Sequence, residues 1–260
     1  MLIVLSPAKT LDYATPSPID LHTEPEFMAL SATLVRSLKK MSVSEISTLM
    51  SISEPLSRLN AGRYASWEKQ ATPENAKQAL LAFNGDVYEG LDAASMTIPQ
   101  LTYLQSHLRI LSGLYGVLRP FDLMQPYRLE MGTRLATPKG KDLYAYWGTS
   151  VTDTLHNLLH RQKFGTLVNL ASEEYFKVVQ PGRLDVPVIT PVFEDWKNGR
   201  YKVISFHAKR ARGLMARYAA QHRIADVNRL RDFDSEGYAF AAEVSDTQRW
   251  TFRRRLTELH

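Results

Sequence analysis

The 260-residue sequence contains no cysteine. That absence excludes a disulfide framework, a thiolate zinc site, an iron–sulfur cluster and a cysteine nucleophile together, and it agrees with a reducing compartment. Long apolar runs are missing too: stretches such as Leu2–Leu5 fall far short of the ~18 residues that a membrane helix needs. No basic leader or small-residue cleavage site is seen, since the chain goes straight into Met1-Leu2-Ile3-Val4-Leu5. A cytoplasmic protein without membrane attachment is therefore expected. Walker A, Rossmann and G-x-S-x-G patterns are all absent, so no cofactor is expected. What remains is 44% hydrophobic, ordinary for a globular protein. With no repeat, low-complexity tract or linker, a single domain over residues 1–260 is expected.

Acidic residues are scarce in one place. The formal net charge of the whole chain is +5, yet residues 200–231 carry nine lysines and arginines against Asp226 alone. One segment thus supplies the cationic character of the protein, as an electrostatic footprint for a polyanion does; the plainer alternative is a solvated helix face.

Leu2–Leu5 reads as a short buried strand because Ser6-Pro7 follows at once. Helical spacing runs from Pro25 to about Glu89, with Phe27, Leu30, Leu34 and Leu38 on one face. Ser42 or Ser44 suits a cap, and Pro55 and Pro73 suit first helical turns. A further helix starts near Thr97-Ile98-Pro99, and another spans about 142–162 on Tyr144, Trp147, Val151, Leu155, Leu158 and Leu159. Between them about 30 residues read as irregular, punctuated by Gly113, Gly116, Pro120, Pro126 and Gly132. Strands are expected at 166–170, at 187–194 and 200–206 around an Asn198-Gly199 hairpin, and at 238–242 and 247–253. Early helices and scattered strands favour an α+β fold over a regular βαβ alternation.

Three constellations can carry chemistry. On a helix over 207–222, Lys209, Arg210, Arg212 and Arg217 fall on one arc and Ala211, Leu214, Met215, Tyr218 and Ala219 on the other, so the cations are expected to face outward, toward a phosphate backbone. Gly213 within it marks a close backbone contact. Next, Gly113-Leu114-Tyr115-Gly116 can turn tightly and present backbone N–H groups to a phosphate, flanked by Arg109, Arg119, Arg128 and Arg134. It looks like a helix-hairpin-helix element with Gly-x-x-Gly where Gly-x-Gly is usual. A turn demanded by packing is the alternative. Finally, Ser6 and Lys9 have the S-x-x-K spacing of a serine acyl-enzyme, but Pro7 and the preceding strand place them in a strand-end loop, and no S-D-N or K-T-G follows. Lys9 is instead suited to point into a cleft, toward a phosphate or, if desolvated, as a base or nucleophile. Asp86, Glu130 and the Glu173-Glu174 pair beside Tyr175 are candidate carboxylates, with pairing to an arginine the commoner fate for Glu130. His156 and His160 have the i,i+4 spacing of zinc ligands but lack the Glu of H-E-x-x-H and any third ligand in sequence, so no metal site is expected.

At SPAKTLDY, FNGDVYEGL, LSGLYGVLRPFDLMQPYRLEMG, NLASEEYFK and ISFHAKRARGLMARY the sequence resembles the YaaA family of bacterial peroxide-stress-resistance proteins, over essentially the whole chain. The resemblance implies a cytosolic protein that limits oxidative damage to DNA and protein, is linked to control of free iron, and binds duplex and branched DNA. It also implies a novel single-domain mixed architecture with a positively charged cleft and a helix-hairpin-helix element, and no established catalytic activity. Lys9, Arg119, Arg128, Lys177, Lys209 and Arg212 match the family's motif positions as the cleft cations. Beyond Asp232 only Ser235-Glu236-Gly237-Tyr238 matches clearly, so the basic cluster Arg253-Arg254-Arg255 takes no role from the resemblance.

The first expectation is therefore a DNA-binding protein without strong sequence preference, acting under peroxide stress. Lys9, Arg109, Gly113, Gly116, Arg119, Arg128, Lys177, Lys209, Arg210, Arg212 and Arg217 are its expected contacts. The alternative is an enzyme acting on a nucleotide or damaged base with Lys9, Asp86, Arg128 and Glu130 converging in a cleft. Geometry separates the two: one deep pocket holding Lys9, Asp86, Glu130 and Lys209 favours chemistry, and an open basic groove favours binding alone.

Overall fold

Leu2–Leu5 (β1) is apolar and buried at every position, and a strand covered on both faces belongs in a sheet interior. In the computed structural model, which describes residues 1–255, β1 lies near the middle of an eight-stranded sheet. Residues 256–260, the end of the expected 1–260 domain, lie outside the described residues.

From β1 the chain passes through β2 (Thr10–Leu11) into α1 (Met28–Leu38), α2 (Val43–Met50) and α3 (Glu54–Ser66). Ser42 starts α2 with a capping box: its hydroxyl accepts from the Glu45 N–H and the Glu45 carboxylate accepts from the Ser42 N–H. Pro55 sits in the first turn of α3, as expected. Pro73 does not open a helix; it lies in a turn before β3 (Lys77–Gln78). Short α4 (Ala79–Ala82) and β4 (Phe83–Asn84) lead to α5 (Asp86–Leu91) and α6 (Ile98–His107). β5 (Leu108–Ser112) and β6 (Gly116–Leu118) then form an antiparallel hairpin, followed by β7 (Leu123–Met124).

The single helix expected over 142–162 is two, α7 (Leu143–Trp147) and α8 (Ser150–Arg161), broken at Gly148, whose φ of 52° ends the first. β8 (Leu167–Leu170), the short α9 (Glu173–Phe176), β9 (Val188–Lys197) and β10 (Arg200–Lys202) follow. The Asn198-Gly199 hairpin joins β9 to β10 with φ of 55° and 78° at its two central residues, the pair of positive values that such a two-residue turn requires. β10 ends earlier than expected because Ser205 and Phe206 already belong to α10 (Ser205–Gln221). β11 (Ala239–Phe240) and β12 (Arg249–Arg254) complete the fold.

The strand order β11-β12-β9-β8-β1-β5-β6, with β10 beside β9, mixes parallel and antiparallel pairs in an α+β arrangement. The five central strands β12, β9, β8, β1 and β5 run parallel to one another, and β11 and β6 flank them antiparallel. After β1 the chain crosses to β5 on one side, and later strands are laid down on the other side as β8, β9 and β12. That reversal places a crevice outside the carboxyl ends of β1 and β8, where ligands bind in open parallel sheets. A continuous buried cluster running from β1 through Leu111, Tyr115 and Trp147 to Phe193 and Phe252 holds the layers together.

Candidate functional site

A cavity of about 500 Å³ occupies that crevice. Its floor is the loop that leaves β1, Ser6 to Thr10, and the residues that leave β8, Ser172, Glu174 and Tyr175. Ser6 and Ser172 tie the two strand ends together: the Ser172 N–H donates to Ser6 Oγ at 2.8 Å, and the two hydroxyls lie 3.2 Å apart. The Ser6 carbonyl in turn accepts from the Tyr88 hydroxyl at 3.0 Å, fixing the loop to α5. Ser6 is thus committed to holding the floor, which agrees with the strand-end reading of S-x-x-K.

The walls come from α5 and α10. These two helices touch backbone to backbone, because a Cβ on Gly213 would collide with the Val87 carbonyl oxygen and one on Gly90 with the Arg210 carbonyl oxygen. Gly213 is the close approach expected from the sequence. The crossing brings Lys209 within 3.9 Å of Asp86 and turns Arg212 into the same cavity. On the opposite wall Lys9 Nζ lies 2.9 Å from Glu130 Oε2, and Arg128 Nη2 lies 3.0 Å from Glu130 Oε1. Glu174 is anchored by the Gly132 N–H at 2.9 Å. Lys9, Asp86, Glu130 and Lys209 therefore line one cavity, with Arg128 joined to it through Glu130.

Arg212 differs from the other cations of the cavity. Burial lowers its pKa, yet among the described residues no carboxylate or carbonyl oxygen pairs with it. Arg212 is half-buried, and a partly desolvated guanidinium without a charge partner is open to an anion. Around it the lining is balanced, with Lys9, Lys209 and Arg212 against Asp86, Glu130 and Glu174. The site is a mixed-charge pocket, not a uniformly basic groove.

Several expected contacts lie elsewhere. Gly113 and Gly116 join two strands, not two helices, which corrects the helix-hairpin-helix reading. Leu114 and Tyr115 between them are fully buried, the Trp147 indole N–H donates to the Gly113 carbonyl at 3.0 Å, and a Cβ on Gly113 would collide with the Leu129 carbonyl oxygen. Gly116, at φ 70°, leaves room for the Trp147 ring, 2.7 Å from where its Cβ would stand. Packing dictates this turn, and its backbone faces no solvent.

Arg109 is buried, its Nη1 donating to the Gln105 and Leu108 carbonyls, and burial lowers its pKa to about 10. Arg119 donates to the buried Asp122 carboxylate at 2.9 Å and to the Glu24 carbonyl. Lys177 lies over the Tyr144 ring at 5.0 Å, and Arg134 is exposed. The outward arc of α10 also divides. Its opposite face is buried at Ala211, Met215 and Ala219 as expected. Of the four cations, however, Arg210 lies 2.7 Å from Glu236, and Arg217 donates to the Leu91 and Asp92 carbonyls and to the Asp92 carboxylate at 3.2 Å. The Glu236 hydrogen bond raises the Arg210 pKa and lowers that of Glu236. Acids from other parts of the chain thus neutralise half of the arc, leaving Lys209 and Arg212 to the pocket. Ser172 is the pocket residue that sequence reasoning missed, since nothing local marks a serine whose task is to bridge two strand ends.

No described helix is long and apolar enough to cross a membrane. Comparison with known proteins now adds to this geometry. The model of the family described as peroxide stress protein YaaA matches residues 1–244. A UPF0246 protein of Ralstonia nicotianae is 64% identical over 255 residues, covering 98% of this chain and 99% of its own. UPF0246 proteins of Ralstonia pickettii and of a Janthinobacterium species are 63% and 62% identical, covering 99% and 98% of this chain and 100% and 99% of their own. The motifs that line the pocket lie within the matched span, and the chain belongs to the peroxide stress protein YaaA family, with a role in the peroxide stress response.

Proposed function

We propose that the protein is a cytoplasmic DNA-binding protein that receives an unpaired or displaced nucleotide of the strand in the pocket at the ends of β1 and β8, and so limits oxidative damage to DNA. The observation that carries this reading is Arg212, a half-buried guanidinium in the cavity with no partner among the described residues, one helical turn from Lys209. Those two cations suit a phosphate, which planar guanidinium donors bind in pairs of hydrogen bonds. Asp86, Glu130 and Glu174 offer acceptors for the N–H groups of a base. Phe206, 57% exposed and three residues before Lys209 on the same helix face, gives a base a surface to stack on. A volume of about 500 Å³ suits a nucleotide and is too small for a double helix.

The test is fluorescence anisotropy of labelled oligonucleotides across a salt series. A duplex with an unpaired bubble is expected to bind more tightly than a fully paired duplex, and Arg212→Gln to weaken the bubble complex by about 10-fold or more, the value of a hydrogen-bonded charge contact. Equal affinity for both substrates, unchanged by Arg212→Gln, overturns the reading. Catalysis in the same cavity is the second reading, favoured by the convergence of Lys9, Asp86, Glu130 and Lys209 on one mixed-charge pocket, the geometry that points to chemistry, and by the Lys9–Glu130 contact of 2.9 Å beside Arg128. Chemical conversion of the bound nucleotide, lost in Glu130→Gln with binding retained, would establish it.

A further inference from the structure

We infer that His156, His160 and Asp185 form a binding site for a first-row divalent transition-metal ion, separate from the nucleotide pocket. The two histidines project from the same face of α8, four residues apart, with ring centroids 4.3 Å from each other. The third ligand lacking in the sequence pattern is supplied in space by Asp185, from the loop that leads into β9. Its Oδ2 lies 3.8 Å from His156 Nδ1 and 3.9 Å from His160 Nε2, and the three ligand atoms all fall within 4.8 Å of one another. Ligands at ~2.0–2.2 Å from a metal stand ~3.0–3.5 Å apart. Small rotations of the three side chains, two of them exposed, close this group around an ion.

An independent observation points the same way. His156 Nδ1 is buried and, among the described residues, has no hydrogen-bond partner, an arrangement that ordinarily costs free energy and that a metal bond relieves. The loop that carries Asp185 is also held in place. The Gln180 N–H donates to Thr152 Oγ1 at 3.1 Å, and Arg183 lies 3.3 Å from Asp153 on the preceding turn of α8. Arg183 thus takes Asp153 and leaves Asp185 to the histidines. Two imidazoles and one carboxylate select for iron(II), zinc or cobalt(II) over magnesium or calcium, and three protein ligands leave positions open for water. None of the three residues lines the nucleotide cavity, so the site stands or falls independently of the proposed function.

The test uses the full chain without an affinity tag. Titration with cobalt(II), followed by its visible absorption and by zinc competition, is expected to saturate at one ion per chain. His160→Gln should weaken binding by about 100-fold and Asp185→Asn by about 10-fold, at least the effect of disturbing a ligand's support. Both positions are exposed, and the melting temperature of the metal-free variants checks that folding is intact. Zinc should raise the melting temperature of the wild type and leave that of His160→Gln unmoved. Absence of saturable binding, or binding equal in wild type and both variants, overturns the inference. A simple ion pair between Asp185 and protonated histidines gives the first of these results.

Discussion

Two regions of the same sheet gather the same residue types and put them to opposite use. Beside β9 and β12, Arg254 lies 2.7 Å from Asp195 with both side chains about 95% buried, the Tyr238 hydroxyl donates to the other Asp195 oxygen at 2.9 Å, and Glu236 links Arg254 to Arg210. Each of these four charges, on Arg254, Asp195, Glu236 and Arg210, has a partner. In the pocket outside β1 and β8, Lys209 and Asp86 stand 3.9 Å apart with about half of each side chain exposed, and Arg212 has no partner among the described residues. Net charge along the chain does not separate the two regions, because Arg210 and Arg212 are neighbours in sequence. What separates them is which acids the fold brings up against each cation.

The largest effect is expected at the paired cluster beside β9 and β12. Asp195→Ala leaves Arg254 buried without its carboxylate and Tyr238 without its acceptor, and is expected to cost about 3–5 kcal/mol, measured by urea unfolding. A loss below about 1 kcal/mol would mean that the pair is dispensable. At the junction of the two regions, Gly213→Ala forces α10 away from α5 through the Val87 carbonyl. It is expected to cost about 1–3 kcal/mol and also to weaken oligonucleotide binding, because Lys209 and Arg212 ride on the displaced helix. Stability lost with binding intact would detach the pocket from that crossing.

A smaller effect belongs to neither region. His107 stacks on Tyr103, with centroids 4.1 Å apart, and donates to the Met1 carbonyl, and burial holds its pKa below the ordinary 6.5. A depressed histidine stays neutral in the folded chain while the unfolded chain takes up the proton. Its contribution is therefore intact above pH 6.5 and is lost as the pH falls below that value. The melting temperature should drop between pH 7 and pH 5 by a few degrees, and less in His107→Phe; an equal drop in both would assign the acid sensitivity elsewhere.

The sequence was legible where structure is local. Four apolar residues before Ser6-Pro7 announced β1, Asn198-Gly199 announced its hairpin, and of the two candidate serines Ser42, not Ser44, caps its helix. The break at Gly148 was hidden by an apolar spacing that continues across it. β5 and β6 were hidden by glycines that punctuate the segment like a loop but instead make room for Trp147. Lys9, Asp86, Glu130, Lys209 and Arg212 were identified one by one by residue type, and their convergence came from the parallel order of β1 and β8, which no local pattern encodes. The acids that neutralise Arg210 and Arg217 lie 26 and 125 residues away, and Asp185 reaches the histidines of α8 from a separate loop. A helix-wheel argument sees only its own helix.

The division of labour along α10 is tested by a paired measurement: oligonucleotide affinity and unfolding free energy for Arg212→Gln and Arg217→Gln. Arg212→Gln is expected to bind a bubble duplex about 10-fold or more weakly with stability unchanged. Arg217→Gln, which gives up hydrogen bonds to Leu91 and Asp92, is expected to lose about 1.5–3 kcal/mol of stability with its affinity retained when folded. If instead Arg217→Gln abolishes binding and Arg212→Gln does not, the anion-binding cation of α10 has been placed on the wrong side of the helix.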